Sequence, residues 1–467
     1  MRHLLLLLAV ASSFCATLQA RNVKGTVTSE KKSLSGVIVT DGTNFTTTSK
    51  NGSFEMNISD NAEFVYIVTP SGYVADWSSG VPQFYQRAEG QDVFHFDLIR
   101  TASSKDTYNI LGVGDPQPRK TEHSDEFADI PLSDIAQTAA SLKGQTVGIA
   151  LGDICFDVLP LLDRWKTDIV RAGIPFYTAA GNHDHNRKIN DDRNAIKDYC
   201  RRFGPENHAF RIGRNDLVIV LDNIIYTDYG KYKLGYTKEI VSWVKGLMNF
   251  IPKEAHVYIA QHASTNGRHY KGGMIQRYDD LIDALKGHEV TFMSGHNHTN
   301  GNFEYAPGVT EHNIAAVCGT WWDVYHCTDG TPRGYKVFTK KGKDLEWYYK
   351  SVGKDRNFQY EIYRQGQTRC NPDCIVVNVW DYDRHWSIEW KEDGKDMGAM
   401  KQVEEYSPLH ESSMNELYSA TGKKIPDYRQ TDPSTHYFAA RPSEGAKEIT
   451  IMIKDRFGNS WSEIIKL

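Results

Sequence analysis

Gly181-Asn182-His183-Asp184 closes a short apolar run, Ile174-Pro175-Phe176-Tyr177-Thr178-Ala179-Ala180, in a chain of 467 residues. The run is bounded by turn residues and reads as a buried strand. An amide, an imidazole and a carboxylate directly past a buried strand suit a site better than a core. Alone, the tetrapeptide also reads as an ordinary turn, because Asn and Asp bond readily to nearby backbone. Four more strand ends finish in the same kind of chemistry: Gly114-Asp115-Pro116-Gln117, Gly152-Asp153, Gln261-His262 and Gly295-His296-Asn297-His298.

Working outward, strands are expected at 107–114, 145–152, 174–180, 216–222, 256–261 and 290–294. Helices are expected between them, at 132–143, 158–171, 188–202, 237–249 and 278–286. This alternation gives a layered α/β unit, completed by strands at 312–319 and 334–350. In such sheets ligands gather beyond the carboxyl ends of the strands. The five polar clusters would therefore converge.

The converging groups suit two divalent ions. Carboxylate, imidazole and amide donors bind such ions, and one carboxylate bridges a pair about 3.5–4 Å apart. Glycine before four of the five clusters lets the backbone turn sharply there. Burying Asp115 and Asp153 at strand ends is costly without compensating cations. A lone His262 after an apolar strand reads as a core histidine; within the series it reads as a ligand.

The five clusters, in order, resemble the calcineurin-like metallophosphoesterase family. Its pattern is Asp-x-His, Gly-Asp, Gly-Asn-His-Asp/Glu, His and Gly-His-x-His, and the match spans roughly 115 to 298. The resemblance implies a first ion on Asp115, Gln117, Asp153 and His298, and a second on Asp153, Asn182, His262 and His296. His183 would face the substrate and assist the leaving oxygen, with Asp184 orienting it. The implied reaction is hydrolysis of a phosphate ester, phosphatase or phosphodiesterase, by direct attack of a metal-bridging hydroxide. The first motif departs from the pattern, since Gln117 stands where histidine is usual. A neutral amide oxygen is a harder, weaker donor, which favours Mn, Fe or Mg over Zn. The alternative for Gln117 is contact with a bound water.

The remaining chain divides around this unit. Residues 21–103 read as a small β-sandwich with Asp41-Gly42 and Asn51-Gly52 hairpin signals. They resemble the transthyretin-like or immunoglobulin-like modules that precede catalytic domains in exported bacterial proteins. Residues 104–352 form the catalytic unit, and 353–467 a β-rich domain resembling those that follow secreted phosphoesterase domains. Arg2 and His3 before Leu4 through Val10, then small residues, make 1–20 a signal peptide. The protein is accordingly expected to be exported, periplasmic or secreted, without a membrane span.

Net charge is -5, and -6 once the one charged residue of the leader, Arg2, is lost. That balance excludes a general nucleic-acid binder. A small-molecule, lipid or sugar phosphate ester is the expected substrate. Pyrophosphate or nucleotide hydrolysis on the same fold, or a catalytically weak exported binding protein, are the rival readings. Six cysteines follow the leader, with Cys318–Cys327 and Cys370–Cys374 the local pairs; disulfides and free buried thiols are equally open. Four softer expectations concern the loops. Asp157 reads as a helix N-cap, and His185 as a surface residue or as one packed behind the ligands. Arg187, Arg268 and His269 read as substrate contacts or solvated loop residues. Trp321-Trp322 reads as a cleft wall or as packing against the C-terminal domain.

Overall fold

The computed structural model describes residues 21–101, 106–266, 273–419 and 421–467. The leader at 1–20 and the loop pair Arg268 and His269 lie outside the described residues.

Three strands carry the first half of the site: Thr107–Val113 (β1), Gln145–Leu151 (β2) and Phe176–Ala179 (β3). They run parallel in the order β3-β2-β1, and the antiparallel hairpin Gly334–Lys341 and Asp344–Ser351 extends the sheet beyond β1. Each is apolar along nearly its whole length because parallel strands are covered on both faces; Tyr108, Ile110, Leu111 and Val113 of β1 are all buried.

A second sheet faces the first. Its parallel centre is Asp216–Val220, Val257–Ala260 (β4), Val290–Ser294 (β5) and Val309–Asn313, with His208–Ile212 and Gly301–Ala306 at its edges. Across the interface the Tyr108 and Tyr258 hydroxyls meet at 2.9 Å, and the Phe338 ring packs edge-on against His312 at 4.9 Å. The protein is thus a layered α/β sandwich with flanking helices, and β1 to β5 all end at the same rim.

Two β units flank it. At the N-terminus a five-stranded sheet built on Arg21–Ser29 packs on a four-stranded sheet built on Phe64–Val68. Their apolar residues run into the central core without a break. At the C-terminus two four-stranded sheets enclose a separate core of Ile375, Val377, Ile388, Ile449, Ile451 and Ile453.

Several element expectations shift. The strand expected at 312–319 stops at Asn313; Ile314 to Val317 stay buried as irregular chain, with Ala316 bridging to Gly114 beside the site. The helix expected at 158–171 begins at Leu161 and tightens after Asp168. The one expected at 188–202 is two short helices, Asp192–Ala195 and Lys197–Phe203. Helix Pro408–Ser419, within the β-rich C-terminal region, was not expected. The six cysteines among the described residues are free, and Cys155, Cys200, Cys318 and Cys327 are buried.

The N-terminal unit is pinned by His208. Its ring lies 4.7 Å from Phe84 and 6.0 Å from Tyr177 of β3. Burial pushes its imidazole down to about 4, against the opposing pull of the Pro205 carbonyl. A histidine held neutral in the fold stabilises fully above its unfolded pKa of about 6.5, and that contribution drains as pH falls toward 4. At pH 5 the loss is about 2 kcal/mol. In urea unfolding, His208→Gln should therefore lose less stability than wild type between pH 7.5 and 5. Equal losses would refute this role.

Candidate metal centre

Each cluster sits one or two residues past a strand, where the chain must bend to stay at the rim. Five of the seven expected ligands take the left-handed backbone region: Asp115 (φ 51°), Gln117 (42°), Asp153 (51°), His296 (70°) and His298 (52°). Non-glycine residues rarely accept that conformation, and it concentrates at functional sites where surrounding structure enforces it. The glycines earn their places through close approach. A Cβ on Gly181 would fall 2.1 Å from the Asp153 amide nitrogen, and one on Gly152 would strike the His262 ring at 2.6 Å. Gly181→Ala is expected to destabilise the fold by about 1–3 kcal/mol and to displace Asp153. Thermal unfolding together with metal content checks this; an unchanged melting temperature would contradict it.

Asp153, His262 and His296 form a cluster whose ligating atoms all lie within 4.8 Å of one another. The Leu151 carbonyl accepts from His262 Nδ1 at 2.8 Å, which turns Nε2 toward the cluster. That nitrogen lies 3.3 Å from Asp153 Oδ1, 3.2 Å from Asn182 Oδ1 and 3.0 Å from His296 Nδ1. Beside them, Asp115 Oδ1 is 3.6 Å from His298 Nε2, and the Gln117 amide contacts Asp153 Oδ2. The His296 amide donates to Asp115 Oδ2 at 2.9 Å, joining the first and fifth loops.

The donors fit divalent cations. Asp115, Gln117, Asp153, Asn182, His262 and His298 are each at most 5% exposed. Asp115 Oδ1 and Gln117 Oε1 are buried without a hydrogen-bond partner. Lone pairs that close on one another repel unless a cation lies among them, and orphaned buried acceptors are costly. Burial alone lowers the His262 imidazole, but Asp153 outweighs it and pushes it up to about 9; burial and His262 push His296 down to about 3. The pocket's field thus attracts positive charge while holding one imidazole neutral.

His183 stands at the edge of the cluster, its side chain 17% exposed against 2% for Asp153, with its Nε2 4.0 Å from Asp153 Oδ2. The residue on its other nitrogen is Asp157, 2.8 Å from Nδ1, not Asp184. Asp184 is fully buried and accepts from the backbone of Gly181 (2.8 Å), Cys155 (3.0 Å) and Ile154 (3.1 Å). Its carboxylate therefore ties the second and third loops together and does not reach the imidazole. Burial and Asp153 push it up to about 6. Asp157 in turn is not a helix cap, because the following helix starts at Leu161 with Pro160 at the cap position. Arg187 Nη1 holds the second Asp157 oxygen at 2.7 Å.

His185, left open between the surface and a place behind the ligands, is buried; it stacks on Tyr226 at 4.7 Å and pairs with Asp222. Of the two readings the sequence left open for Trp321 and Trp322, packing against the C-terminal region is seen at Trp321. Trp321 stacks on His298 at 4.6 Å and meets Tyr428 of the C-terminal region edge-on at 5.3 Å. Trp322 Nε1 donates to the Pro116 carbonyl at 2.9 Å, bracing the first loop. Phe156, which stacks on His183 at 4.0 Å, had no sequence signal beyond lying between Asp153 and Asp157.

Comparison with known proteins places the chain. Residues 21–101 match the family model described as the N terminal of calcineurin-like phosphoesterase, and residues 311–461 match that for its C terminal. The five clusters, from Gly114 to His298, all lie between these segments. No curated protein matches. Among solved structures, a dimetal phosphatase from Danio rerio is 14% identical, with a TM-score of 0.39, over 52% of this chain and 96% of that one. A 5'-nucleotidase from Candida albicans is 12% identical, with a TM-score of 0.34, over 54% and 52%. The protein TT1561 of Thermus thermophilus is 12% identical, with a TM-score of 0.32, over 52% and 98%.

Proposed function

From a chain that belongs to the calcineurin-like phosphoesterases, and is therefore a metal-dependent phosphoric ester hydrolase, we propose a dinuclear reaction at the rim described above. The observation that carries the reading is the Asp153–His262–His296 cluster, with Asp153 and His262 buried, His296 half-buried and Asp115, Gln117, Asn182 and His298 around it. Asp115, Gln117, Asp153 and His298 would hold one ion; Asp153, Asn182, His262 and His296 would hold the other. Bound there, two divalent ions supply Lewis-acid activation of water and neutralise charge at phosphorus. The Gln117 amide oxygen biases the first position toward Mn, Fe or Mg.

The protein's own groups do the rest. Water, giving up one proton to solvent, forms the new bond to phosphorus as the bond to the ester oxygen breaks, in line. His183 Nε2 gives its proton to the departing oxygen. Asp157 holds Nδ1 in its protonated form, so that Nε2 points toward the cluster. Burial tends to lower the His183 pKa, but Asp153 and Asp157 outweigh it and hold it above its ordinary value. The Asp157 carboxylate on Nδ1 favours the protonated imidazole that a donor to the departing oxygen needs. Asp184 keeps the loops that carry Asp153 and Asn182 in register.

The substrate is a small phosphate ester, with a slight preference for diesters because Trp321 offers a wall for a second substituent. Among the described residues no helix is long and apolar enough to cross a membrane, and we propose export through the leader at 1–20. Manganese-reconstituted protein should hydrolyse p-nitrophenyl phosphate or its bis ester, and the ratio ranks monoester against diester. Failure on both with two ions bound would remove the hydrolase reading.

A further inference from the structure

We propose that Arg119 is a substrate-binding residue that takes a non-bridging phosphoryl oxygen, an inference that rests on the hydrolase reading above. Arg119 follows Gln117-Pro118 on the first loop. The Pro118 carbonyl accepts from the Phe156 amide at 3.1 Å, so the first and second loops move as one. The Arg119 guanidinium lies 4.3 Å over the Phe156 ring and 5.9 Å from the Trp321 ring. Those rings are the ones stacked on His183 and His298. The cation is thus one ring away from the proton donor on one side and from an expected ligand on the other.

A guanidinium stacked on aromatic faces keeps the donors along its edge free for a planar, bidentate acceptor. The neighbouring arginines have spent theirs. Arg187 pairs with Asp157, Arg333 with Glu126 and Arg429 with Asp323. Arg119 has no ion pair among the described residues, and its Nε is buried without a hydrogen-bond partner. Burial and the like charge of Arg429 both act against its charged form. A phosphoryl oxygen arriving between the two rings relieves each of these costs. Asp323 is held by Arg429, and Arg429 itself lies 5.8 Å from the Trp321 ring. The C-terminal region therefore keeps the Asp323 carboxylate engaged and leaves Arg119 for the substrate.

A structural role in stacking alone predicts something different, and two variants separate the readings. Arg119→Met keeps the stem and its packing and removes the donors; Arg119→Lys keeps the charge. Manganese-loaded wild type and both variants would be titrated with inorganic phosphate by calorimetry and assayed on p-nitrophenyl phosphate. Both variants should retain wild-type manganese content. Phosphate binding and KM should weaken about 10–100-fold in Arg119→Met, as expected for a lost charge-assisted hydrogen bond, with partial recovery in Arg119→Lys. Phosphate affinity within about twofold of wild type in Arg119→Met overturns the assignment, as does wild-type protein that binds no phosphate. Absence of ester turnover in wild type removes the hydrolase reading, and the phosphate titration still decides Arg119.

Discussion

Asp153→Asn is expected to abolish phosphoesterase activity, by on the order of 10³-fold or more, and to strip divalent ions from both positions. The substitution is nearly isosteric, so the effect isolates charge from shape. Asp153 is the residue on which the loops converge. Its Oδ1 accepts from the His183 amide at 2.9 Å and faces His262 Nε2 at 3.3 Å; its Oδ2 meets the Gln117 amide. It is 1% exposed and strained at φ 51°. Removing its charge leaves His262 and His296 without the carboxylate that makes their pocket attractive to a cation. The pocket's pull on positive charge then falls at both proposed positions together. Metal content by plasma mass spectrometry should drop below one ion per chain. Retention of two ions would show that Asp153 does not bridge.

His183→Ala should behave in the opposite way. Its ring is not among the expected ligands, so both ions should remain while turnover falls about 10²–10⁴-fold, the usual worth of a positioned acid. The loss should be greater for alkyl phosphates than for p-nitrophenyl phosphate, because a poor leaving group depends more on protonation. Asp157→Asn should reproduce the same leaving-group dependence more weakly, since Asp157 acts through the imidazole. Equal loss of metal and turnover in His183→Ala would contradict the role given to this histidine.

The candidate ligands could be picked out in the sequence because each cluster follows an apolar strand, a pattern that carries polar groups to a sheet rim, and the structure gathers these residues there. The contacts around the ligands were not. Asp157 lies just before a helix, and propensity alone makes an aspartate there a cap; the Pro160 start moves the helix on and frees the carboxylate for His183. Asp184 directly follows His183 in the chain, but successive side chains of a tight turn diverge, and it binds backbone amides instead. Arg119, Phe156 and Trp321 meet through ring faces across three separate loops, and no periodicity encodes that. The place of His185 stayed open because its partners, Tyr226 and Asp222, lie some forty positions later. Ile314 to Val317 look like a strand by composition, but here burial comes from packing against the Gly114 loop without ladder pairing.

The central claim is a pair of cations shared by Asp153. Anomalous diffraction at the manganese edge, from crystals grown with that ion, tests it most directly. Two peaks are expected, one within ligating distance of Asp153, Asn182, His262 and His296, the other of Asp115, Gln117, Asp153 and His298. A single peak, or two peaks of which Asp153 touches only one, would contradict it.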